Sequence, residues 1–346
     1  MHHQRILIAG GAGFLGAKLA DSFRRDRIQV RLLDLVECPD WACRPGFEYL
    51  RGDIRDPTAV TAALKDVDAV VHAAFASPHQ PAEVIRRVNV EGTRNLCAAA
   101  VSAGVRRFIL ISSTIVSKAR RVHPLFRKSP LTRLDLYRAA RAEAEKLVAE
   151  YGSRGLSSAI VRPKTFVGPG CLSAFAILFE WIWRGRSVPI LGTGRNRYQL
   201  LDVRDMVAGI CLLMTADAEG VFSFGAREYR TVTEDLQTLL DHARTGARLQ
   251  FIPGRIARVG LRAMELANLA PLSEWHYMSA RGEDSVVDIS RAERELGWRP
   301  ESSNARALRE AYDWYVASMT TTGRARTRHP VPFAHQLLKR LSSIFP

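Results

Sequence analysis

The apolar run Arg5-Ile6-Leu7-Ile8-Ala9 leads without interruption into Gly10-Gly11-Ala12-Gly13-Phe14-Leu15-Gly16. A short buried-strand pattern closed by glycines at this spacing reads as strand, tight turn and helix start, which leaves few folds open. Gly10 permits the turn, Gly13 lets the backbone approach a pyrophosphate, and Gly16 lets the new helix, opened by Phe14 and Leu15, pack closely on the sheet. Free N–H groups at that helix end face the phosphates.

Glycine spacing alone is weak evidence, and the following residues supply the context. A second apolar run, Ile28 to Leu33, ends in Asp34, 18 residues after Gly16. A carboxylate there can accept hydrogen bonds from both ribose hydroxyls and repels a 2′-phosphate. Leu35 and Val36 offer no positive charge in return. The expected cofactor is therefore NAD rather than NADP.

At 346 residues the chain suits an NAD-binding domain over 1–165, a smaller mixed substrate-binding lobe over 166–317 and a basic tail over 318–346. Segments near 198–226 are expected to return to the sheet. No run of 18 apolar residues occurs, and the basic start leads straight into the first strand, so a cytoplasmic protein is expected. Five cysteines without a Cys-x-x-Cys pair or a His cluster argue against disulfides and against a metal site.

The formal charge is +15 and unevenly placed. Eight Lys/Arg against the single acid Asp135 lie between Lys118 and Arg141, and five against none between Ser318 and Pro346. Such excess attracts nucleic acid, anionic membrane or acidic substrate, or is only a solvated arginine-rich surface. No nucleic-acid-binding module accompanies it, so no nucleic-acid partner is expected. In the tail, Phe333, Leu337, Leu338, Leu341, Ile344 and Phe345 share one helical face, a pattern compatible with peripheral contact at the inner membrane surface or with packing on protein.

Short buried strands are expected at Glu48 to Leu50, Ala69 to His72, Arg107 to Ser112 and Ser158 to Val161, with helices at Val84 to Ala103 and Leu136 to Tyr151 between them. This alternation implies an α/β fold, a doubly wound parallel sheet of the Rossmann kind. Beyond Gly168 the chain becomes punctuated by Gly and Pro, with helical patterns at Ala174 to Trp183 and Ile256 to Leu269. A ligand would lie at the carboxyl ends of the strands, between sheet and lobe.

Further segments fall in a specific order: Gly52-Asp53-Ile54-Arg55-Asp56, Val71-His72-Ala73-Ala74, Asn89-Val90-Glu91-Gly92-Thr93, Ile111-Ser112-Ser113, Arg162-Pro163, Gly168-Pro169-Gly170, Val203-Arg204-Asp205 and Leu296-Gly297-Trp298. With the opening glycines they make residues 5 to about 315 resemble the extended short-chain dehydrogenase/reductase family, the NAD-dependent epimerase/dehydratase group that acts mostly on nucleotide sugars. The resemblance implies that Asp53 and Ile54 lie at the adenine, that Ala73 and Ala74 follow the pyrophosphate and nicotinamide ribose, that Pro163 borders the cofactor and that Asn89 supports the sheet behind the site. The family's catalytic hydroxyl falls on Ser113 and its tyrosine on Tyr137. Tyr137 would exchange a proton with the substrate hydroxyl as hydride moves to or from nicotinamide. Ser77, Thr114 and Thr165 are the implied substrate contacts.

The chain departs from this pattern at one chemical position. Tyr137-Arg138-Ala139-Ala140-Arg141 carries arginine where the family's Tyr-x-x-x-Lys carries lysine. One helical turn separates the pair, so both side chains share a face. Arg141 retains the charge but is planar, bulkier and permanently protonated, so the exchange is not conservative. Two outcomes follow: an active enzyme with Arg141 in the lysine's role toward cofactor and Tyr137, or an NAD-binding regulatory or scaffold protein with weakened chemistry.

Other departures narrow the reaction. Thr114 and Ile115 stand where family 4,6-dehydratases carry an Asp-Glu pair, which disfavours dehydration. Val116-Ser117-Lys118 leads into the basic segment, so the substrate is expected to be phosphate-bearing. Arg197, one position short of the usual register, is the candidate for a substrate diphosphate. The leading reading is an oxidoreductase or epimerase acting on a nucleotide-linked or phosphorylated sugar. A membrane-surface oxidoreductase acting on a lipid-linked or steroid-like alcohol is the further alternative. The resemblance also implies a homodimer, paired through the helices near Asn89 and Tyr137.

Overall fold

The computed structural model describes residues 5–116, 133–171, 175–256, 259 and 282–322. The basic segment 117–132, the tail from 323 and nearly all of the expected helix at 256–269 lie outside the described residues. In chain order the elements are β1 (Arg5–Ala9), α1 (Phe14–Arg25), β2 (Gln29–Asp34), β3 (Phe47–Arg51), α2 (Pro57–Ala63), β4 (Ala69–His72), α3 (Ala82–Arg86), α4 (Thr93–Ser102), β5 (Arg107–Ile111), α5 (Arg133–Gly152), β6 (Ser158–Pro163) and β7 (Phe166–Val167). They continue with α6 (Phe175–Trp183), β8 (Val188–Leu191), β9 (Leu201–Asp202), α7 (Val203–Thr215), β10 (Gly220–Phe224), α8 (Val232–Ala243), β11 (Leu249–Ile252), α9 (Ser290–Leu296) and α10 (Asn304–Thr322).

Two compact units are present. The first comprises Met1–Pro163, Met206–Phe224 and Ile289–Trp298. Its sheet has seven strands in the order β10-β6-β5-β4-β1-β2-β3, every pair parallel. The order reverses beside β1, where the chain turns from one half of the sheet to the other; such a point opens a crevice at the carboxyl ends of the strands. β1, β4 and β5 are almost wholly buried and apolar except at one end residue each, Arg5, His72 and Arg107, as suits strands covered by helices on both faces. Their residues Leu7, Val70, Phe108 and Leu110 join Leu96, Val148 and Ile160 in one core.

Two buried arginines close helix ends in this unit. Arg31 donates through Nη1 to the carbonyls of Ala63 (2.8 Å) and Lys65 (2.6 Å), at the end of α2. Arg107 donates to the Leu213 carbonyl at 3.0 Å, near the end of α7. A guanidinium at a helix C-terminus takes up carbonyls left without intrahelical partners.

The second unit comprises Lys164–Asp205, Gly225–Asp288 and Arg299–Pro346. Its core gathers Phe175, Phe179 and Ile182 of α6 with Leu236 and Leu239 of α8 and Leu308, Tyr312 and Tyr315 of α10. α8 starts on a reciprocal cap: Glu234 N–H donates to Thr231 Oγ1, while Thr231 N–H donates to the Glu234 carboxylate. The strand pairs β7·β9 and β8·β11 are short and parallel.

Two expectations are corrected. The helix expected without a break over 84–103 is divided, because Arg87–Gly92 forms a π-helical turn between α3 and α4. Thr93 Oγ1 donates to the Asn89 carbonyl at 2.7 Å, and Asn89 Oδ1 is drawn sideways to accept from Ala76 N–H at 2.8 Å. Disulfides were not expected, yet Cys38 and Cys43 are joined, their Cα atoms 6.1 Å apart in the β2–β3 connection. A spacing of five residues escapes rules written for Cys-x-x-Cys.

Candidate functional site

Because the strands are parallel, the residue at the carboxyl end of each one lies along the same edge of the sheet. β1 delivers Gly10, β2 ends in Asp34, β3 is followed by Asp53 and Ile54, and β4 by Ala73 and Ala74. β5 is followed by Ser112 and Ser113, and β6 ends in Pro163. Backbone bonds continue the ladder beyond the strands, from Gly10 N–H to Leu33 O (2.9 Å), Gly52 N–H to Asp34 O (2.9 Å) and Ala73 N–H to Ala9 O (2.8 Å).

The glycine turn has the geometry of a cradle. Gly10 has φ +83°, and a Cβ on it would lie 2.7 Å from the Ala73 carbonyl carbon and 2.8 Å from Ala74 N. A Cβ on Gly16 would lie 2.5 Å from Gly10 O and 2.6 Å from Gly11 O. At Gly13, the residue that precedes α1, the nearest atom to such a Cβ is Gly10 O at 3.1 Å. Asp34 ties this turn to β2: its Oδ2 accepts from Ala12 N–H at 3.0 Å and its Oδ1 from Leu35 N–H at 2.7 Å. Phe14 and Leu15 are buried at the start of α1. These residues fit a dinucleotide, with the pyrophosphate at the open helix end and a ribose at the Asp34 carboxylate.

Beside β3, Asp53 is held by Arg55, whose Nε donates to both carboxylate oxygens at 3.0 and 2.8 Å. That hydrogen bonding keeps the Asp53 carboxyl below its ordinary range. Ile54 is buried against Gly92, where any side chain would meet the Ile54 Cδ1 at 2.5 Å, and its carbonyl accepts from Asn95 Nδ2. The acidic side chain is thus engaged by its own loop, and the apolar one forms its floor.

The residues proposed for chemistry converge around α5. Arg141 is buried, and its Nε donates to the Tyr137 hydroxyl at 3.0 Å while its Nη1 donates to the Ile111 carbonyl at 3.0 Å. The guanidinium carbon lies 3.6 Å from the centroid of the Phe75 ring. Tyr137 packs on Ile115, Val116 and Leu134, which brings its ring against the turn that begins at Ser113. Ser113 Oγ accepts from Ile115 N–H at 3.3 Å, leaving the hydroxyl hydrogen for another acceptor. Thr114 is buried, and Ser77 is exposed with its Oγ accepting from His79 N–H.

One turn beyond Arg141 on the same helix, Glu145 is buried and accepts from Ser112 Oγ at 2.5 Å and from Arg162 Nε at 2.9 Å. Arg162 Nη2 also pairs with it. α5 is therefore clamped to the ends of β5 and β6 directly below Tyr137 and Arg141. Behind them His72, wholly buried, shares a hydrogen with Thr93 Oγ1 at 2.9 Å. Burial, aided by the Arg141 charge, pulls the His72 imidazole down to about 3, so it is neutral. Phe75 was not singled out in the sequence, His72 entered only as part of a motif, and Glu145 read as part of the polar side of its helix, whereas it is buried; the helical spacing 137, 141, 145 was the signal for its role.

Thr165 and Arg197 belong to the second unit. Thr165 Oγ1 bonds with the Tyr198 hydroxyl at 2.8 Å, and the buried Lys164 ammonium donates to Ser285 Oγ at 2.6 Å and lies 4.7 Å from the Tyr198 ring centroid. Arg197 is held by Asp284, whose Oδ2 accepts from Nε (2.9 Å) and Nη2 (2.7 Å) and whose Oδ1 accepts from the Arg197 N–H (2.7 Å). It lines a cavity of about 510 Å³ together with Arg227, Tyr229 and Arg230. A phosphate at Arg197 therefore has to share it with Asp284.

The sequence profile of the NAD dependent epimerase/dehydratase family matches residues 6–225. The chain is 32% identical over 338 residues to protein y4nG of Sinorhizobium fredii, covering 97% of this chain and 85% of that one. It is 28% identical over 338 residues to a 3 beta-hydroxysteroid dehydrogenase/Delta 5-->4-isomerase of Mycobacterium tuberculosis, covering 90% of each. In fold it is similar to the crystal structure of a UDP-glucose 4-epimerase of Thermotoga maritima with UDP-glucose, at a TM-score of 0.71 and 20% identity, covering 91% of this chain and 99% of that one.

Proposed function

The chain belongs to the NAD dependent epimerase/dehydratase family, and on that premise we propose that it oxidises, or inverts, a hydroxyl carbon of a nucleotide-linked or phosphorylated sugar. NAD, when bound, supplies the acceptor and donor of hydride. The glycine turn and Asp34 hold its pyrophosphate and ribose, and Ala73, Ala74, Ile54 and Pro163 border it. Tyr137, as phenolate, takes the proton of the substrate hydroxyl to become the phenol and gives it back when the carbon is reduced again. Ser113 donates its free hydroxyl hydrogen to the same substrate oxygen and fixes its position. The single observation that carries this reading is the Arg141–Tyr137 hydrogen bond at 3.0 Å, which sets a fixed positive charge beside the oxygen that handles the proton. It favours an active site over a scaffold with lost chemistry.

The reading is tested by supplying purified protein with NAD and a panel of UDP- and dTDP-hexoses, and scoring epimers and reduced cofactor. Product that vanishes in Tyr137→Phe is expected; product that persists in that variant refutes the assignment of Tyr137. A second reading has its own support. The Mycobacterium tuberculosis relative spans the chain and is named for a hydroxysteroid, so the same panel includes a 3β-hydroxysteroid.

Ser77, Thr114 and Thr165 complete the substrate side in this proposal, with Arg197 at the phosphate end. We further propose a cytoplasmic homodimer, paired through the helices near Asn89 and Tyr137, with the tail in contact with the inner membrane surface. Sedimentation of the full chain and of a chain ending at residue 322, with and without anionic vesicles, tests both. A monomer, or vesicle binding that survives removal of the tail, contradicts the respective part.

A further inference from the structure

Arg141 is fixed at three points. Its Nε reaches Tyr137 and its Nη1 reaches the Ile111 carbonyl, both at 3.0 Å, and its plane rests over Phe75 with the guanidinium carbon 3.6 Å from the ring centroid. The two hydrogen bonds use donors on different sides of the guanidinium, Nε–H toward Tyr137 and Nη1 toward Ile111. The ring supports its face. Without that support only the two hydrogen bonds hold the group, and the Nε–H more readily leaves the line to the tyrosine oxygen.

Phe75 is itself placed by its neighbours. It follows Ala73 and Ala74 at the end of β4, and the His72 imidazole stacks on it at 4.7 Å between centroids and 17° between planes. His72 is in turn held by Thr93. The support therefore runs from α4 through His72 and Phe75 to the guanidinium. An ammonium in the same place is a compact charge without a plane to lay on the ring, so it gains less from this arrangement.

We propose that Phe75 is a positioning residue for the reaction, and that it is what allows an arginine to work at the place where the family carries lysine. This rests on the reading of Tyr137 as acid/base. Phe75 does not touch the reacting atoms; it acts through Arg141. Because a desolvated cation over an aromatic face is held appreciably more firmly than an unsupported one, loss of the ring frees the guanidinium by about tenfold in population.

The experiment uses the full chain and two readouts. The first needs no substrate: hydrogen exchange of the Arg141 Nε–H in a nitrogen-15 spectrum, assigned by its loss in Arg141→Lys. Exchange in Phe75→Leu is expected to be about tenfold faster than in the parent, and in Phe75→Tyr, which keeps the ring, within about twofold of it. Exchange unchanged in Phe75→Leu overturns the proposal. Phe75→Met serves in the same way should the leucine variant fail to fold.

The second readout is turnover of whichever compound the panel identifies. Phe75→Leu is expected to lower kcat about tenfold while KM and NAD affinity stay within about twofold, and to change kcat by less than about twofold in an Arg141→Lys background. An equal loss in both backgrounds shows that Phe75 acts without Arg141 and overturns the proposal. If nothing in the panel is turned over, the proposed function fails, and the exchange measurement still decides the role of Phe75.

Discussion

Gly16→Ala and Gly13→Ala separate a glycine needed by the fold from one needed by the ligand. A Cβ at Gly16 would sit 2.5 Å from Gly10 O, 2.6 Å from Gly11 O and 2.8 Å from Gly11 C, and all three are backbone atoms. Ordinary contact begins near 3.5 Å, so the start of α1 has to move away from the turn by roughly 1 Å. Overpacking of this kind costs about 1–3 kcal/mol, and the better helix propensity of alanine offsets up to about 1 kcal/mol of it. A net loss of about 1–2 kcal/mol is therefore expected, with weaker NAD binding because the helix N–H groups move with the backbone. At Gly13 the nearest atom is Gly10 O at 3.1 Å and the backbone, φ −65° and ψ 168°, suits alanine. Gly13→Ala should thus keep its stability to within about 1 kcal/mol, the usual range for a change at a helix cap. Its methyl nevertheless occupies the approach of the pyrophosphate, so NAD affinity should fall at least about tenfold, equal to about 1.4 kcal/mol of lost contact. Denaturant unfolding gives the first quantity and calorimetric NAD titration the second. Full NAD affinity in Gly13→Ala, or parental stability in Gly16→Ala, refutes the cradle.

Three further outcomes follow from the same site. Glu145→Ala leaves Arg162 and Ser112 without their acceptor below α5; because the Arg162 side chain is a quarter exposed, a loss of about 2–4 kcal/mol is expected in denaturant unfolding, below the upper range for a broken buried pair. Burial holds His72 down at about 3 in the folded chain against its ordinary 6.5 when unfolded, so the unfolded chain binds the extra proton, and stability falls as pH is lowered from about 6.5 toward 3. The slope is at most about 1.4 kcal/mol per pH unit, and His72→Gln should remove that part of the pH dependence of unfolding. Arg197→Ala should raise KM for a diphosphate substrate while leaving NAD affinity unchanged; an unaltered KM removes Arg197 from the substrate site.

The first unit was largely legible because its signals are local. The strands at 69–72, 107–111 and 158–163 are built around the apolar runs 69–71, 108–111 and 159–161, and the glycines at 10, 13 and 16 each answer to one backbone demand. The π-helical turn at Arg87–Gly92 was not legible, since what bends it is the long-range bond from Ala76 to Asn89 and the close approach of Ile54 to Gly92. Phe75 was hidden for the same reason. Nothing in its own neighbourhood announces that a guanidinium 66 residues later will rest on it. In the second unit the strands are two to four residues long and the packing depends on α6, α8 and α10 meeting, so periodicity found α6 but not the arrangement around it. Arg197 illustrates a further limit: spacing can nominate an arginine, but only the fold reveals that Asp284 has already engaged it.

The account stands most directly on the Tyr137–Arg141 pair. The decisive measurement is single-turnover formation of reduced cofactor or epimer by the full chain with NAD and the sugar-nucleotide and hydroxysteroid panel, compared with Tyr137→Phe and Arg141→Ala. Removing a general acid/base typically lowers the rate by about 10²–10⁴-fold, and a loss in that range is expected for Tyr137→Phe, with a loss also for Arg141→Ala and NAD still bound in both. Turnover that is unimpaired in Tyr137→Phe contradicts the account.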